Sequence, residues 1–176
     1  MSDIVGGLRA RLIRESLFEM LNAGLTDLGW FDPTRPYSPI EFVSRGQNQD
    51  EVIPINMAAL SDESDREGDV ELGSTLTEQT WQMYVDFFAE DDALGLHFIK
   101  DVRDILRGRF TTSIPNAAHR GPMVPVYDYR QATPPVVFHV EVQNTDTDKP
   151  HGFLKPWLEH WYVCIFEIVD YYDSEG

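Results

Sequence analysis

The residues that could carry chemistry are five histidines, one cysteine and two groups of closely spaced acids. No two histidines have the H-E-x-x-H spacing of a zinc protease; they are His97, His119, His139, His151 and His160. His139 and Glu141 form an H-x-E pair, but the zinc deaminase signature also requires P-C-x-x-C, and Cys164 is the single cysteine. Nucleophile-elbow, Walker and dinucleotide-binding patterns are absent as well. The sequence predicts no catalytic or cofactor site, and a protein that is not an enzyme.

The first acidic group, at residues 61–69, could be a calcium-binding loop. Its members are Asp62, Glu63, Asp65, Glu67 and Asp69. If Gly68 is the invariant glycine of an EF-hand loop, position twelve is Ser74, where a bidentate glutamate is required. The stretch also has no apolar face to bury. We therefore expect no metal site, and we predict a mobile loop.

The second acidic group alternates along residues 144–148. It consists of Asn144, Asp146 and Asp148 and lacks the glycine of a calcium loop. These residue types favour a polar loop between two strands. Cys164 lies in an apolar, strand-like run, which favours a buried small hydrophobe over a reactive thiol.

The composition indicates one acidic globular domain over residues 1–176. Thirty acids against fourteen lysines and arginines give a formal charge of −16, which argues against binding to a phosphate backbone or to anionic membranes. No apolar run approaches the roughly 20 residues that cross a bilayer. The first residues do not have the pattern of a signal peptide, so we expect synthesis in a reducing cytoplasm.

Two amphipathic helices are predicted. In the first, residues 4–28, the apolar residues are three or four positions apart, and Gly29 follows as a stop. In the second, Asp91 or Asp92 is a suitable N-cap, and Gly108 follows Arg107.

Short strands make up the rest of the pattern, at residues 40–44, 52–57, 70–89, 124–129, 135–143 and 157–172. The last is apolar on both faces, which is typical of a central strand. Residues 31–39 contain three prolines and are predicted to be a connector, and residues 110–125 a loop. The order is helix, strands, helix, strands, so we predict an α+β two-layer sandwich with a mostly antiparallel or mixed sheet on two helices.

Aromatic residues are numerous for one domain, with four Trp, seven Tyr and ten Phe. Core packing explains most of them, but aromatics are also enriched where subunits meet. The candidates for a subunit interface are Trp157, Trp161 and Tyr171 in the long last strand.

The order of elements resembles that of the phage tail-terminator family, related in fold to the lambda tail terminator. The likeness rests on the amphipathic helix at 4–28, strands around the acidic segment 61–69, and QTWQMYVDFFAE leading into the helix that ends DVRDILRG. The aromatic strand at 157–172 completes it. Size and order match over nearly the whole chain, without a signature motif that would assign single residues.

The resemblance implies a virion protein of the tail or neck, assembled in the host bacterial cytoplasm as a homohexameric ring. Such a ring caps the tail tube, stops its polymerisation and provides the docking face for the head-completion protein. DNA passes through its bore without specific binding. The acidic segment 61–69 is then the candidate for the bore or the tube-facing rim.

Three other functions fit parts of the pattern. Another phage neck or tube protein, such as a head-completion or tail-tube subunit, has similar size and partners. A small metal-dependent enzyme requires polar groups brought together from separate loops. An unrelated binding adaptor is the third.

Overall fold

The computed structural model of the protein describes residues 2–44, 56–69, 75–108, 122–150 and 160–173, with backbone alone for residues 2–7 and 62–69. Its elements follow the order α1 (Ser2–Asp27), β1 (Glu41–Ser44), β2 (Met57–Asp69), β3 (Leu76–Phe88), α2 (Asp92–Leu106), β4 (Met123–Tyr127), β5 (Val136–Asp148) and β6 (Trp161–Asp173). The described part is therefore an α+β fold with two helices and a six-stranded mixed, curled sheet. The prediction of an α+β fold with a mixed sheet and two helices is confirmed.

Both helices begin and end close to the predicted residues. After α1, Gly29 adopts a positive φ of 79°, which a glycine tolerates without strain. Before α2, the side chain of Asp91 accepts a hydrogen bond from the Leu94 backbone N–H at 2.8 Å. Gly108 follows α2 with a φ of 64°. Residues 31–40 form neither helix nor strand, as their prolines predict.

The sheet has the strand order β1-β2-β3-β6-β5-β4, so β6 is a central strand, as predicted. The pair β1 and β2 is parallel, and every other neighbouring pair is antiparallel. The long β2–β3 hairpin runs from Met57 opposite Phe88 to Asp69 opposite Thr77. A bulge after Asp62 leaves Glu63 out of the register.

One face of the sheet contacts the helices, and we call it the inner face. There, Phe87 of β3 packs on Phe98 of α2 with ring centroids 4.1 Å apart, and Asp170 of β6 binds Arg9 of α1. Inner-face residues of β3 and β6 are almost all buried; examples are Trp81, Met83, Val85, Cys164, Phe166 and Ile168. Side chains alternate along a strand, so the intervening residues lie on the opposite, outer face.

Two predictions about loops are wrong. Residues 61–69 belong to β2 and pair with β3, so this acidic segment is a strand rather than a mobile loop. Asn144, Asp146 and Asp148 belong to β5, where a bulge between Gln143 and Asp146 interrupts the pairing with β6. Backbone pairing does not need an apolar face, and polarity alone therefore gave a misleading prediction for both segments.

Three other predictions fall wholly or partly outside the described residues. Most of the strand predicted at 52–57 lies outside them, and β2 begins at Met57. Most of the loop predicted at 110–125 also lies outside, and β4 begins at Met123. Trp157 is outside the described residues as well.

The glycine at position 95 allows α2 to lie close to β6. A Cβ added there would be 2.3 Å from Cδ2 of Tyr162 and 3.2 Å from Cβ of Ala89. The Tyr162 ring cannot move aside without cost, because its hydroxyl donates to Asp92 at 2.7 Å. We predict that Gly95→Ala destabilises the protein by about 1–3 kcal/mol, since overpacking outweighs the helix propensity gained. Urea unfolding with the circular dichroism of the helices as signal measures this.

A neighbouring residue gives the control for that substitution. Leu96 is 58% exposed on the same turn of α2, so Leu96→Ala should change the free energy of unfolding little. In a Tyr162→Val background the clash is absent, and Gly95→Ala should then stabilise α2. A Gly95→Ala protein that is more stable than wild type would show that the contact with Tyr162 does not limit this site.

Candidate protein interaction surface

The outer face of β3, β5 and β6 is acidic in the part of the chain that the structure describes. Register partners across these strands place the following carboxylates on it: Glu78, Asp86, Glu141, Asp146, Asp148, Glu167 and Asp173. No lysine or arginine of these three strands lies on that face. A surface of one sign of charge repels molecules of like charge and attracts a basic partner.

Exposed apolar side chains are concentrated at one end of the same face. Leu76, Met123, Val137 and Tyr171 are each between 41% and 51% exposed, and all four lie on the outer face. They are four of the seven large hydrophobic side chains that are exposed within the described residues. Grouped apolar side chains bordered by polar ones are typical of sites where another protein binds.

The other end of the outer face is organised around Trp161. The indole stacks on Phe88 with centroids 5.6 Å apart, and its Nε1 donates to Oδ1 of Asp86 at 2.8 Å. Burial raises the pKa of Asp86 to about 6, although the Trp161 hydrogen bond opposes that shift. A half-buried carboxyl next to two aromatic rings makes this end of the face less polar than its sequence indicates.

The structure places the predicted interface aromatics as follows. Trp161 and Tyr171 both lie on the outer face of β6, at its two ends, while Trp157 is outside the described residues. In the acidic segment, Asp62 is opposite Met83, Asp65 is opposite Trp81 and Asp69 is opposite Thr77. The prediction that this segment contacts a partner therefore concerns a strand, and its side chains are outside the described atoms.

Sequence reasoning missed a group of four polar residues at the start of α2. Oδ1 of Asp92 accepts from Lys149 Nζ at 2.7 Å and from the Tyr162 hydroxyl at 2.7 Å, and it lies 3.0 Å from His160 Nδ1. Asp92 begins α2, Lys149 directly follows β5, His160 directly precedes β6, and Tyr162 lies in β6. No local spacing could have revealed the group, because 57 positions separate Asp92 from Lys149 and 68 separate it from His160.

The electrostatics of this group favour a structural tie over acid–base chemistry. Hydrogen bonds from Lys149, Tyr162 and His160, in that order of effect, hold the pKa of Asp92 far below its usual range. The bond to Asp92 also raises the pKa of Lys149. A general base needs a pKa near the working pH, and an amine nucleophile needs a lowered pKa. The group therefore fastens the end of β5 and the start of β6 to α2.

The other residues that could carry chemistry, Cys164, His139 and Glu141, do not form a common site. Cys164 is buried, and burial raises the pKa of its thiol to about 12, so it behaves as a core residue. His139 and Glu141 lie on the outer face of β5, opposite Pro125 and Met123. Within the described ranges, no three His, Cys, Asp or Glu side chains are arranged to hold a metal ion.

Comparison with known proteins gave no match, either to a family model or to a curated protein. None of the helices in the described ranges combines the length and the apolar character needed to cross a membrane. The outer face of the sheet, with its carboxylates and exposed apolar end, is the candidate interaction surface of the described residues.

Proposed function

We propose that the protein is a structural virion subunit that forms a ring on the end of a phage tail tube. In this proposal the helices and the sheet form a two-layer sandwich, and six copies close into a ring. The ring stops tube polymerisation and offers its free side to the head-completion protein. The proposal rests on the order of elements and on the outer face of the sheet.

The exposed apolar end of the outer face is the observation that supports the proposal most. Tyr171, Leu76, Val137 and Met123 present an apolar area within an otherwise acidic face. A catalytic cleft needs concave walls with converging polar groups, whereas this area lies across neighbouring strands of a sheet. A sheet face of this kind suits contact with another folded chain.

The charge of the chain fits passage of DNA through the ring. Six copies would carry a formal charge of −96, six times −16. A bore lined with carboxylates makes no favourable contacts with phosphates, so DNA would slide through it without binding. The acidic half of β2, with Glu63 and Asp65, is our candidate for the bore or the tube-facing rim.

The mass of the protein in solution tests the proposal. Light scattering behind a sizing column should give about 121 kDa, six times 20.2 kDa, for the protein alone or after addition of tail-tube protein. A monomer that is indifferent to tail-tube protein would contradict the proposal. Filaments of the protein alone would favour a tail-tube subunit, because tube subunits stack through two matching faces without limit.

A second experiment tests the role of the acidic half of β2. Glu63→Lys with Asp65→Lys should leave the circular dichroism spectrum unchanged and should reduce the number of infectious virions. The matched control is Glu63→Gln with Asp65→Gln, which removes charge without reversing it and should have a smaller effect. Normal virion yield from the lysine variant would exclude this segment from the bore and the rim.

A further inference from the structure

A cavity of about 440 Å³ lies on the side of α1 that faces away from the core. Its walls include Arg11, Arg14 and Phe18 from α1, Ser44 from the end of β1, and two residues that follow β4, Tyr129 and Arg130. Three of the chain's fourteen lysines and arginines therefore line one cavity of a strongly acidic protein. Two glutamates, Glu15 and Glu19, balance part of this charge.

Two guanidinium groups of this cavity, those of Arg11 and Arg130, retain unused donors. Arg11 is 67% exposed and donates through Nε to Glu15 at 2.8 Å, and its two terminal nitrogens have no partner among the described residues. Arg130 is 57% exposed, and its Nε and one Nη donate to Asp128 at 2.7 Å. The Asp128 bonds fix the direction of the Arg130 side chain and leave its second Nη toward solvent.

The unused donors of Arg11 and Arg130 suit an acceptor with negative charge, and a carboxylate is such an acceptor. Phe18 and Tyr129 supply apolar surface beside them in the same cavity.

The cavity and the outer face of the sheet lie on opposite sides of the subunit. Because α1 packs on the inner face, its exposed residues point away from the outer face of the sheet. The two surfaces also have complementary character. On the outer face, Glu78 is opposite Tyr171 and Glu141 is opposite Met123, so carboxylates stand beside exposed apolar side chains. In the cavity, arginines stand beside Phe18 and Tyr129.

We propose that the arginine-lined cavity of one copy binds the acidic, apolar end of the outer face of the next copy. Glu78 and Glu141 of one subunit would meet Arg11 and Arg130 of its neighbour. Two different patches on opposite sides of a subunit generate a head-to-tail contact, which closes into a ring when the rotation permits it. This inference rests on the proposed ring and names the contact that builds it.

Charge reversal on each side of the contact tests the inference. The first variant carries Arg11→Glu and Arg130→Glu, and the second carries Glu78→Arg and Glu141→Arg. Each alone places like charges in contact, so each should have the 20.2 kDa monomer mass at a concentration where the wild type is assembled. An equimolar mixture should recover the 121 kDa species, because an even-membered ring can alternate the two variants. The control, Arg35→Glu with Lys100→Glu, makes the same charge change outside the cavity and should assemble normally.

A smaller change separates the contact from folding. Arg11→Gln removes the charge of a side chain that is 67% exposed, and its surface pair with Glu15 contributes less than about 1 kcal/mol, so monomer stability should fall little. Assembly should require at least about tenfold more protein if the Arg11 guanidinium binds a neighbour's carboxylate. Light scattering across a concentration series, with circular dichroism as the check on folding, gives both quantities.

The outcomes distinguish the inference from the proposed function. Folded reversal variants that still form hexamers, or a mixture that stays monomeric, would overturn this contact and leave the ring intact. A wild type that assembles neither alone nor with tail-tube protein would overturn the ring itself, and the contact with it. If each reversal variant is monomeric and the mixture recovers the 121 kDa species, the result supports both the contact and the ring.

Discussion

Replacing Arg9 with Met should cost about 3–5 kcal/mol of the free energy of unfolding. The Arg9 guanidinium donates to both carboxylate oxygens of Asp170 at 2.7 Å, and the Asp170 side chain is completely buried. Arg9 also lies 3.7 Å from the centroid of the Phe138 ring, so its removal takes a packing contact away as well. The substitution leaves a buried negative charge without a cation, which is the costly half of a broken ion pair.

The measurement is urea unfolding at a protein concentration where light scattering gives the monomer mass. The matched control is Arg11→Met, the same change in the same helix, where the exposed pair with Glu15 contributes less than about 1 kcal/mol. Arg9→Met combined with Asp170→Leu should recover most of the loss, because a buried ion pair can be replaced by apolar groups. If Arg9→Met cost no more than Arg11→Met, the pair with Asp170 would not hold α1 on the sheet.

The second large effect is expected from Asp86→Asn and depends on pH. The folded-state pKa of Asp86 is raised from 3.8 to about 6, so the folded protein binds this proton more tightly than the unfolded chain. The stability that this group contributes is complete below pH 3.8 and is lost as pH rises through 6. The difference between a pKa of 3.8 and one of about 6 corresponds to about 3 kcal/mol of unfolding free energy. Asp86→Asn should therefore match wild type near pH 4 and exceed its stability by about 3 kcal/mol at pH 8.

Unfolding free energies at pH 4, 6 and 8 for both proteins check this expectation. A second variant, Trp161→Phe, removes the hydrogen bond that opposes the shift. In that variant the loss of stability with rising pH should be steeper and extend to higher pH. A constant difference between wild type and Asp86→Asn across the whole range would show that the Asp86 carboxyl has an ordinary pKa in the folded protein.

The helices were predictable because their signals are local. The apolar spacing along residues 4–28, the cap at Asp91 and the glycines at 29 and 108 each act within a few residues. The central position of the last strand was also predictable, since β6 is apolar on both sides. The acidic half of β2 was not predictable, because its strand conformation comes from pairing with β3 and not from its own residue types.

The candidate surfaces are formed by residues that are far apart in the sequence, so only some of them could be predicted. Tyr171 and Trp161 were expected at an interface on composition, and the structure places both on the outer face. The cavity of Arg11, Arg14 and Arg130 could not be read from the sequence, since more than a hundred positions separate its two halves. The Asp92 group was hidden for the same reason. Whether these surfaces contact other subunits stays a prediction.

The central position of β6 has a consequence for synthesis of the chain. β6 is the last strand in sequence order among the described residues, yet it pairs with both β3 and β5, and Asp170 within it lies 161 positions from its partner Arg9. A nascent chain on the ribosome can form the β2–β3 hairpin and α2 early, but these cannot join β5 before residue 173 has emerged. Folding is therefore completed after translation of the last strand, and a chain cut short before it would lack the strand that joins the two halves of the sheet. Truncated products that lack β6 would consequently be substrates for proteases and chaperones.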